Sequence, residues 1–319
     1  MSQTYRATGI NLKSMPLGEA DKILTILTRE QGLIRVVAPG SRKAKSKLGG
    51  RSELFVVNDL LLSRGRSLDR LSQAESLESY PRLSRDLAKL TVSQYWAEVV
   101  LYQTPAHEPN AALFDLFCQR LTHLTHCEPG LPILIHLIYG VMQFLSLAGV
   151  APQLERCCTT GELATSEAIE NGTVTFSPAL GGIVLTKPDP QPYSQVAQKT
   201  VSDRSGQNSI RPQTFGRSTP RPILKANQSV RNQPQFTLSA SELSLMQQLA
   251  LDDDLMTPPV LSLAAEHGKV AEWLNIEKAL RAYVHYQTER PIRSAALIES
   301  CFNARPAALH STAVSVAHL

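Results

Sequence analysis

Residues 21–38 read DKILTILTREQGLIRVVA, and the first part of the fold is organised around this stretch. Two β-branched runs, Asp21–Thr28 and Leu33–Ala38, flank Glu30-Gln31-Gly32, whose turn chemistry predicts a β-hairpin. Upstream, Thr4–Ser14 holds the strand formers Thr4, Tyr5, Thr8 and Ile10. Downstream, Pro39-Gly40 opens a loop, GSRKAKSKLGGR (40–51), that Gly49-Gly50 closes. Leu54–Leu62 and Leu68–Leu77 supply two more strands around Ser63-Arg64-Gly65-Arg66. Five short strands in about eighty residues, with no helical period among them, predict a small closed β-barrel of the OB-fold kind.

After Pro81 the period changes. Leu83, Leu87, Leu90, Gln94, Ala97 and Leu101 recur at three- and four-residue steps, predicting a helix that Pro105 and Pro109 end. Leu113, Phe117, Leu121 and Leu124 predict a second, amphipathic helix. Leu131–Val150 has the length of a membrane span and no Lys, Arg, Asp or Glu. It stands alone, however, with His136 and Gln143 on one face, and reads as a buried core helix. Glu155–Leu185 is polar, glycine-bearing and short-stranded. Lys187–Gln235 has seven prolines and no apolar period, which predicts a disordered insert unable to offset its own ordering entropy. Order returns at Phe236: Ser239 with Glu242 fits a capping box, Leu238 with Leu243 its staple, and a helix runs through Leu251. Trp273, Ile276, Leu280 and Val284 mark the face of a last long helix ended by Pro291, and the tail beyond Pro306 reads as frayed.

The fold class expected is therefore α+β. It comprises an OB-fold barrel at 1–80, a mainly helical domain at 81–186, the insert at 187–235, C-terminal helices at 236–302 that complete the helical domain, and a tail at 303–319. At 319 residues the chain is long enough for more than one compact unit. Five cysteines, an odd number, read as reduced thiols, and the start MSQTYRATGINLKSM shows no secretory pattern, so a cytoplasmic location is expected.

Net charge is only +4, so the sum does not point to nucleic acid, but its distribution does. Arg35, Arg42, Lys43, Lys45, Lys47 and Arg51 lie between Gln31 and Ser52 with no acid among them. The insert carries eight basic residues against Asp189 and Asp203, a local net charge of +6, fit either to extend a nucleic-acid contact or to serve as a solvated tether. Lys and Arg alternating with small residues between glycines suit a mobile loop that wraps a phosphate backbone and releases its counterions. Arg64 and Arg66, in another inter-strand turn, add to that patch. Aromatics in this region are few (Tyr5, Phe55, Tyr80), so backbone gripping is expected rather than extensive base stacking.

Other constellations fare worse. Cys157-Cys158-Thr-Thr-Gly looks like the start of a metal knuckle, yet Thr160 stands where the CxxC partner of Cys157 belongs, and IVLTKPDP after Gly182 has neither Cys nor His. Two donors cannot close a tetrahedral zinc site, so the subregion reads as a degenerate zinc knuckle, and no metal or other cofactor is expected. There is no GxxxxGK[ST] loop and no HExxH. Asp252-Asp253-Asp254 reads as a solvated turn, His123, His126 and Cys127 as structural, and Cys118 and Cys301 as ordinary buried thiols. No catalytic residue is assigned.

These residues carry a resemblance. Residues 4–50 (TYRATGINLKSMPLGEADKILTILTREQGLIRVVAPGSRKAKSKLGG) and 60–83 (LLLSRGRSLDRLSQAESLESYPRL) are similar to the RecO family of recombination mediators. LERCC (154–158) and FSPALGGIV (176–184) match that family's knuckle region, and LRAYVHYQTERPIRS (280–294) its final helix. The resemblance covers about residues 1–186 and 236–302. It implies an OB-fold on a helical domain, and a nucleoid-associated protein that binds single- and double-stranded DNA and anneals complementary strands. Its implied partners are RecR and the acidic C-terminal tail of single-stranded-DNA-binding protein, and it would help RecA load onto coated strands. Some members carry a four-cysteine zinc site; this chain lacks the later pair. The DNA-binding candidates carried over by position are Arg35, Arg42, Lys43, Lys45, Lys47, Arg51, Arg64 and Arg66, while Arg290 and Arg293 fit the final-helix pattern in a structural role. Two other readings are weighed against this one: a metal-dependent nuclease using Asp252–Asp254, and a protein scaffold with an inert barrel.

Overall fold

The structure, a computed structural model, describes residues 3–170, 172–186, 234–251 and 269–303. Five strands come first: β1 (Thr4–Leu17), β2 (Asp21–Thr28), β3 (Gly32–Ala38), β4 (Val56–Ser63) and β5 (Asp69–Ser79). They close into a barrel in the order β1-β2-β3-β5-β4, the order of an OB-fold. The expected hairpin is β2–β3, in register from Lys22↔Ala38 to Thr28↔Gly32. The period of two then sorts the side chains. Ala7, Leu24, Ile26, Ile34, Val36, Leu60, Leu62 and Leu71 fill the barrel interior, while Ile10, Leu12, Leu27, Leu33, Val57 and Phe55 join the core formed with the helices. A bulge between Asn11 and Lys13 shifts the register of β1 and leaves Asn11 wholly buried.

The helices are α1 (Leu87–Gln103), α2 (Ala111–His126), α3 (Leu131–Leu147) and a short α4 (Ser166–Glu170). The first begins later than the apolar period suggested. Asp86 caps it, accepting from the Lys89 N–H at 3.1 Å, and Leu83–Arg85 is a separate 3-10 turn. Helix α3 crosses α1 at Gly140, where a Cβ would stand 2.6 Å from the Trp96 indole; Trp96 Nε1 in turn donates to Leu137 O at 3.1 Å. That close approach explains the burial of α3. Among the described residues no helix is long and apolar enough to cross a membrane.

Beyond α4, β6 (Thr173–Ser177), β7 (Gly182–Thr186) and β8 (Phe236–Leu238) form a small sheet with β6 in the middle. The pairing of β6 with β8 was not visible in the sequence; it joins residues on the two sides of the Pro-rich stretch, whose residues 187–233 lie outside the described ones. Helices α5 (Ala240–Leu251), α6 (Val270–Thr288) and α7 (Ile298–Asn303) complete the core. The capping box of α5 is present: Glu242 N–H donates to Ser239 Oγ, and Ser239 N–H to Glu242 Oε2, with Leu238 and Leu243 buried beside it. Asp252–Asp254 and the tail from 304 lie outside the described residues.

Candidate nucleic-acid interface

The site begins where the barrel closes. Strand β3 meets β5 through only two residue pairs, Val36↔Asp69 and Val37↔Arg70. The upstream edge of β3 therefore needs other partners, since buried backbone groups are not left unpaired. The α1–α2 connector supplies them: Ala106 bridges to Leu33, and the His107 N–H donates to Leu33 O at 3.1 Å. Gly32 (φ 64) makes this docking possible, because a Cβ there would lie 1.9 Å from the Glu108 carbonyl oxygen. The seam, the connector and the β4–β5 turn enclose a groove of about 300 Å³, lined by Arg35, Arg64, Arg66, Thr25, Asp69 and His107 among others.

The β4–β5 turn is tied down. The Gly65 N–H donates to Asp69 Oδ1 at 3.0 Å, and the Tyr5 hydroxyl donates to the same carboxylate. Burial, and then that hydrogen bond, pushes the Tyr5 phenol well above its ordinary value, so it stays a donor. The Arg64 guanidinium lies 5.0 Å from the centroid of the Tyr5 ring. Arg35 and Arg66 are exposed beside it. Three sequence-predicted residues are thus brought together on the outer wall, on the strand 2–3 face and the loop after strand 4 that OB-folds use for oligonucleotides.

The basic loop departs from its expected mobility. Between Gly40 and Ser52 it is a run of hydrogen-bonded turns: Lys43 N–H to Gly40 O, Ser46 N–H to Lys43 O, Gly49 N–H to Ser46 O and Ser52 N–H to Leu48 O. Its entry is pinned by Gly40 N–H to Asp21 Oδ1 at 2.7 Å and by the buried Ser41. Its exit is pinned at the Arg51 carbonyl, which accepts from the buried Asn11 and Asn58 amides at 2.8 and 3.0 Å. Leu48 packs against the barrel core. The physical reason for the difference is that the glycines serve turns, and the buried asparagines reward a fixed path. Arg42 is bound to Gly18 O, and the Arg51 guanidinium to Lys47 O, both at 2.7 Å, while Lys43, Lys45 and Lys47 point to solvent as an exposed row.

Lys47 and Arg51 line a second hollow of about 440 Å³, with Arg6, Asp59, Ser72, Gln73 and Glu75. It follows the first along β5, three residues of strand (about 10 Å) from Asp69 to Ser72. The two differ in charge. The groove at the seam sets three arginines against one acid, itself occupied by Tyr5 and Gly65. The second sets three cations against Asp59 and Glu75, with Arg6 paired to Asp59 at 3.3 Å. A polyanion gains more from the first, whose lining has the larger excess of cations over acids. The sequence reading missed His107, Asn11 and Asn58. Alternation on β1 and β4 hints at the asparagines, but no local signal brings residue 107 to this wall.

Family models for the N-terminal region of recombination protein O match residues 1–80, and for its C-terminal region residues 84–181. The chain is 48% identical over 308 residues to a DNA repair protein RecO of Acaryochloris marina, an alignment covering 96% of this chain and 98% of that one. Proteins of the same name from a Cyanothece species and from Nostoc punctiforme are each 43% identical, covering 95% of this chain and 98% of theirs. The chain belongs to the RecO family. A RecO protein is a DNA repair and recombination protein, and the barrel just described is the part that the N-terminal model covers.

A zinc ion held by four cysteines does not fit this RecO chain. Among the described residues no three His, Cys, Asp or Glu side chains come close enough to share a metal. Around Cys157 there is instead a set of hydrogen bonds: its buried Sγ accepts from the Leu185 N–H at 3.2 Å and lies 3.2 Å from Thr159 Oγ1. Burial opposes ionisation of Cys157, but bonds from the Thr159 and Thr160 hydroxyls and from the Leu185 and Thr159 N–H groups outweigh it and bring the thiol down to about 6. Cys158 N–H to Ile183 O and Cys157 N–H to Glu162 O finish the subregion. His126 is bound to its own helix through Thr122 O, and Cys118 and Cys301 are half-buried rather than fully buried. Near the last helix, Arg290 lies over the Tyr102 ring at 5.6 Å, and the backbone N–H groups of Arg293 and Ser294 donate to the Glu98 carboxylate.

Proposed function

We propose that this RecO protein is a non-catalytic mediator of recombinational repair, in which charge supplies affinity and partner proteins supply direction. It holds single- and double-stranded DNA on the outer wall of the barrel at residues 1–80, through Arg35, Arg64 and Arg66 in the groove and Arg42, Lys43, Lys45, Lys47 and Arg51 on the loop. Annealing needs no covalent chemistry: a cationic wall brings two polyanions together, and base pairing then drives the product. In the nucleoid it acts with RecR, engages the acidic tail of single-stranded-DNA-binding protein, and assists RecA onto coated strands. The single observation that carries this reading is the convergence of Arg35, from β3, with Arg64 and Arg66, from the β4–β5 turn, on one groove whose lining has Asp69 as its acid.

The test is annealing of complementary labelled oligonucleotides at 50 to 200 mM salt, with and without magnesium. The full chain is expected to accelerate annealing and leave both strands intact. Replacing Lys43, Lys45 and Lys47 by Ala together should slow it in proportion to the loss of binding. Strand cleavage that depends on the protein and the metal would overturn the reading in favour of a nuclease. Absence of binding even at low salt would leave only a scaffold.

A further inference from the structure

We propose that His107 is a nucleobase-contacting residue, laying its ring against one base of a single strand while Arg35, Arg64 and Arg66 take the adjoining phosphates. This rests on the groove being a nucleic-acid interface and adds which strand form it prefers. The few aromatics of the barrel gave no reason to expect base contacts. The α1–α2 connector changes that, because it brings His107 into the lining of the arginine groove from outside the barrel.

Three observations point the same way. His107 has φ 62, a left-handed conformation uncommon for any side-chain-bearing residue. It is held there by the bond from its N–H to Leu33 O, by the Ala106–Leu33 bridge and by Gly32 docking under Glu108. Histidine is among the residues that enter this region more readily than most, so the connector can hold a ring at a turn where glycine would leave none. Next, His107 is an exposed residue, so burial in a core does not account for its side chain. Lastly, the groove of about 300 Å³ lies at the small end of ligand pockets. It suits a nucleotide unit with its base turned out, whereas a duplex keeps its bases stacked inside. His is among the side chains on which unstacked bases lie in single-strand recognition. The consequence is a preference for single strands at this groove, superimposed on charge attraction that does not distinguish the two.

The experiment compares three oligonucleotides of equal charge per strand by fluorescence anisotropy: an intact single strand, the same strand with alternate abasic sites, and a blunt duplex. The wild-type chain is expected to bind the intact strand about five- to tenfold more tightly than the abasic one. The variant His107→Asn keeps tolerance for the left-handed backbone and removes the ring. It should lose that margin on the intact strand while matching wild type on the abasic strand, on the duplex and in salt slope. Equal wild-type affinity for intact and abasic strands overturns the proposal, as does His107→Asn binding all three like wild type. Should that variant weaken on every ligand and melt early, the connector has moved, and the wild-type comparison decides alone. Failure of the groove itself looks different: Arg35, Arg64 and Arg66 replaced together by Ala would then change nothing on any ligand.

Discussion

Replacing Arg35, Arg64 and Arg66 by Ala in one chain should change how strongly salt weakens DNA binding, by an amount the structure sets. All three are exposed on the outer wall and none reaches into the barrel interior, so their removal should cost about 1 kcal/mol, mostly the contact of Arg64 with the Tyr5 ring. Each phosphate neutralised on a single strand adds about 0.7 to the slope of log affinity against log salt. Three arginines acting on three phosphates therefore account for a slope of about 2. Over a fourfold rise in salt, the wild-type chain should lose roughly 18-fold more affinity than the variant from this cause alone. The assay is anisotropy with a labelled single strand at 50, 100 and 200 mM sodium chloride, with a thermal melt of each protein as control. The slope should flatten by about 2, and equally for unrelated sequences, because phosphates carry no sequence. A variant that binds more weakly at an unchanged slope would refute the reasoning, since its arginines would then act by packing rather than by displacing counterions. A slope lowered instead by the Lys43, Lys45 and Lys47 variant alone would move the contact from the groove to the loop.

Gly140→Ala places a methyl group where the Trp96 indole already lies, and should cost about 1–3 kcal/mol in urea unfolding by prising α1 from α3. Chelation is expected to leave the melting temperature unchanged, with no zinc found by elemental analysis, whereas Cys157→Ala strands the Leu185 N–H and should cost about 1–3 kcal/mol. Burial, with the Arg120 cation second, pulls the His136 imidazole from 6.5 down to about 4, so the folded chain holds it neutral. The unfolded chain takes up that proton as pH falls through 6.5 and the folded one does not until about 4, so stability declines across that window by up to roughly 3 kcal/mol. His136→Leu should remove that part of the acid sensitivity in urea titrations at pH 7 and 4.5, and an unchanged pH dependence would assign it to other groups.

The barrel was legible because the period of two and the turn residues fix each strand locally. The ends of β1 to β5 fall within three residues of the sequence reading. Its closure was legible only as a consequence of strand number, since the β3–β5 seam is two residue pairs between segments thirty residues apart. Helix α3 was read as buried from composition, and Gly140 against Trp96 gives that burial its geometry. The arginines of the candidate site could be nominated individually from charge runs. Which of them meet could not, because Arg35 and Arg66 share a groove through tertiary pairing while Lys43 and Lys45, nearer in sequence to Arg35, are not in its lining. The turns of the basic loop were hidden for a related reason: the asparagines that hold its exit lie on β1 and β4, outside the loop. Residue 107 was invisible for the plainest reason, being polar, isolated and in a proline-flanked connector.

The pairing of β8 beside β6 has a consequence for how this chain tolerates change. Strands β7 and β8 run the same way on either side of β6, so the polypeptide between Thr186 and Phe236 has only to return from one end of a five-residue ribbon to the other. About a dozen residues suffice for such a return. Alignment is set by Val174 facing Leu238 rather than by how much polypeptide lies between, so a reporter grafted into that span is expected to leave the β6–β8 register unchanged.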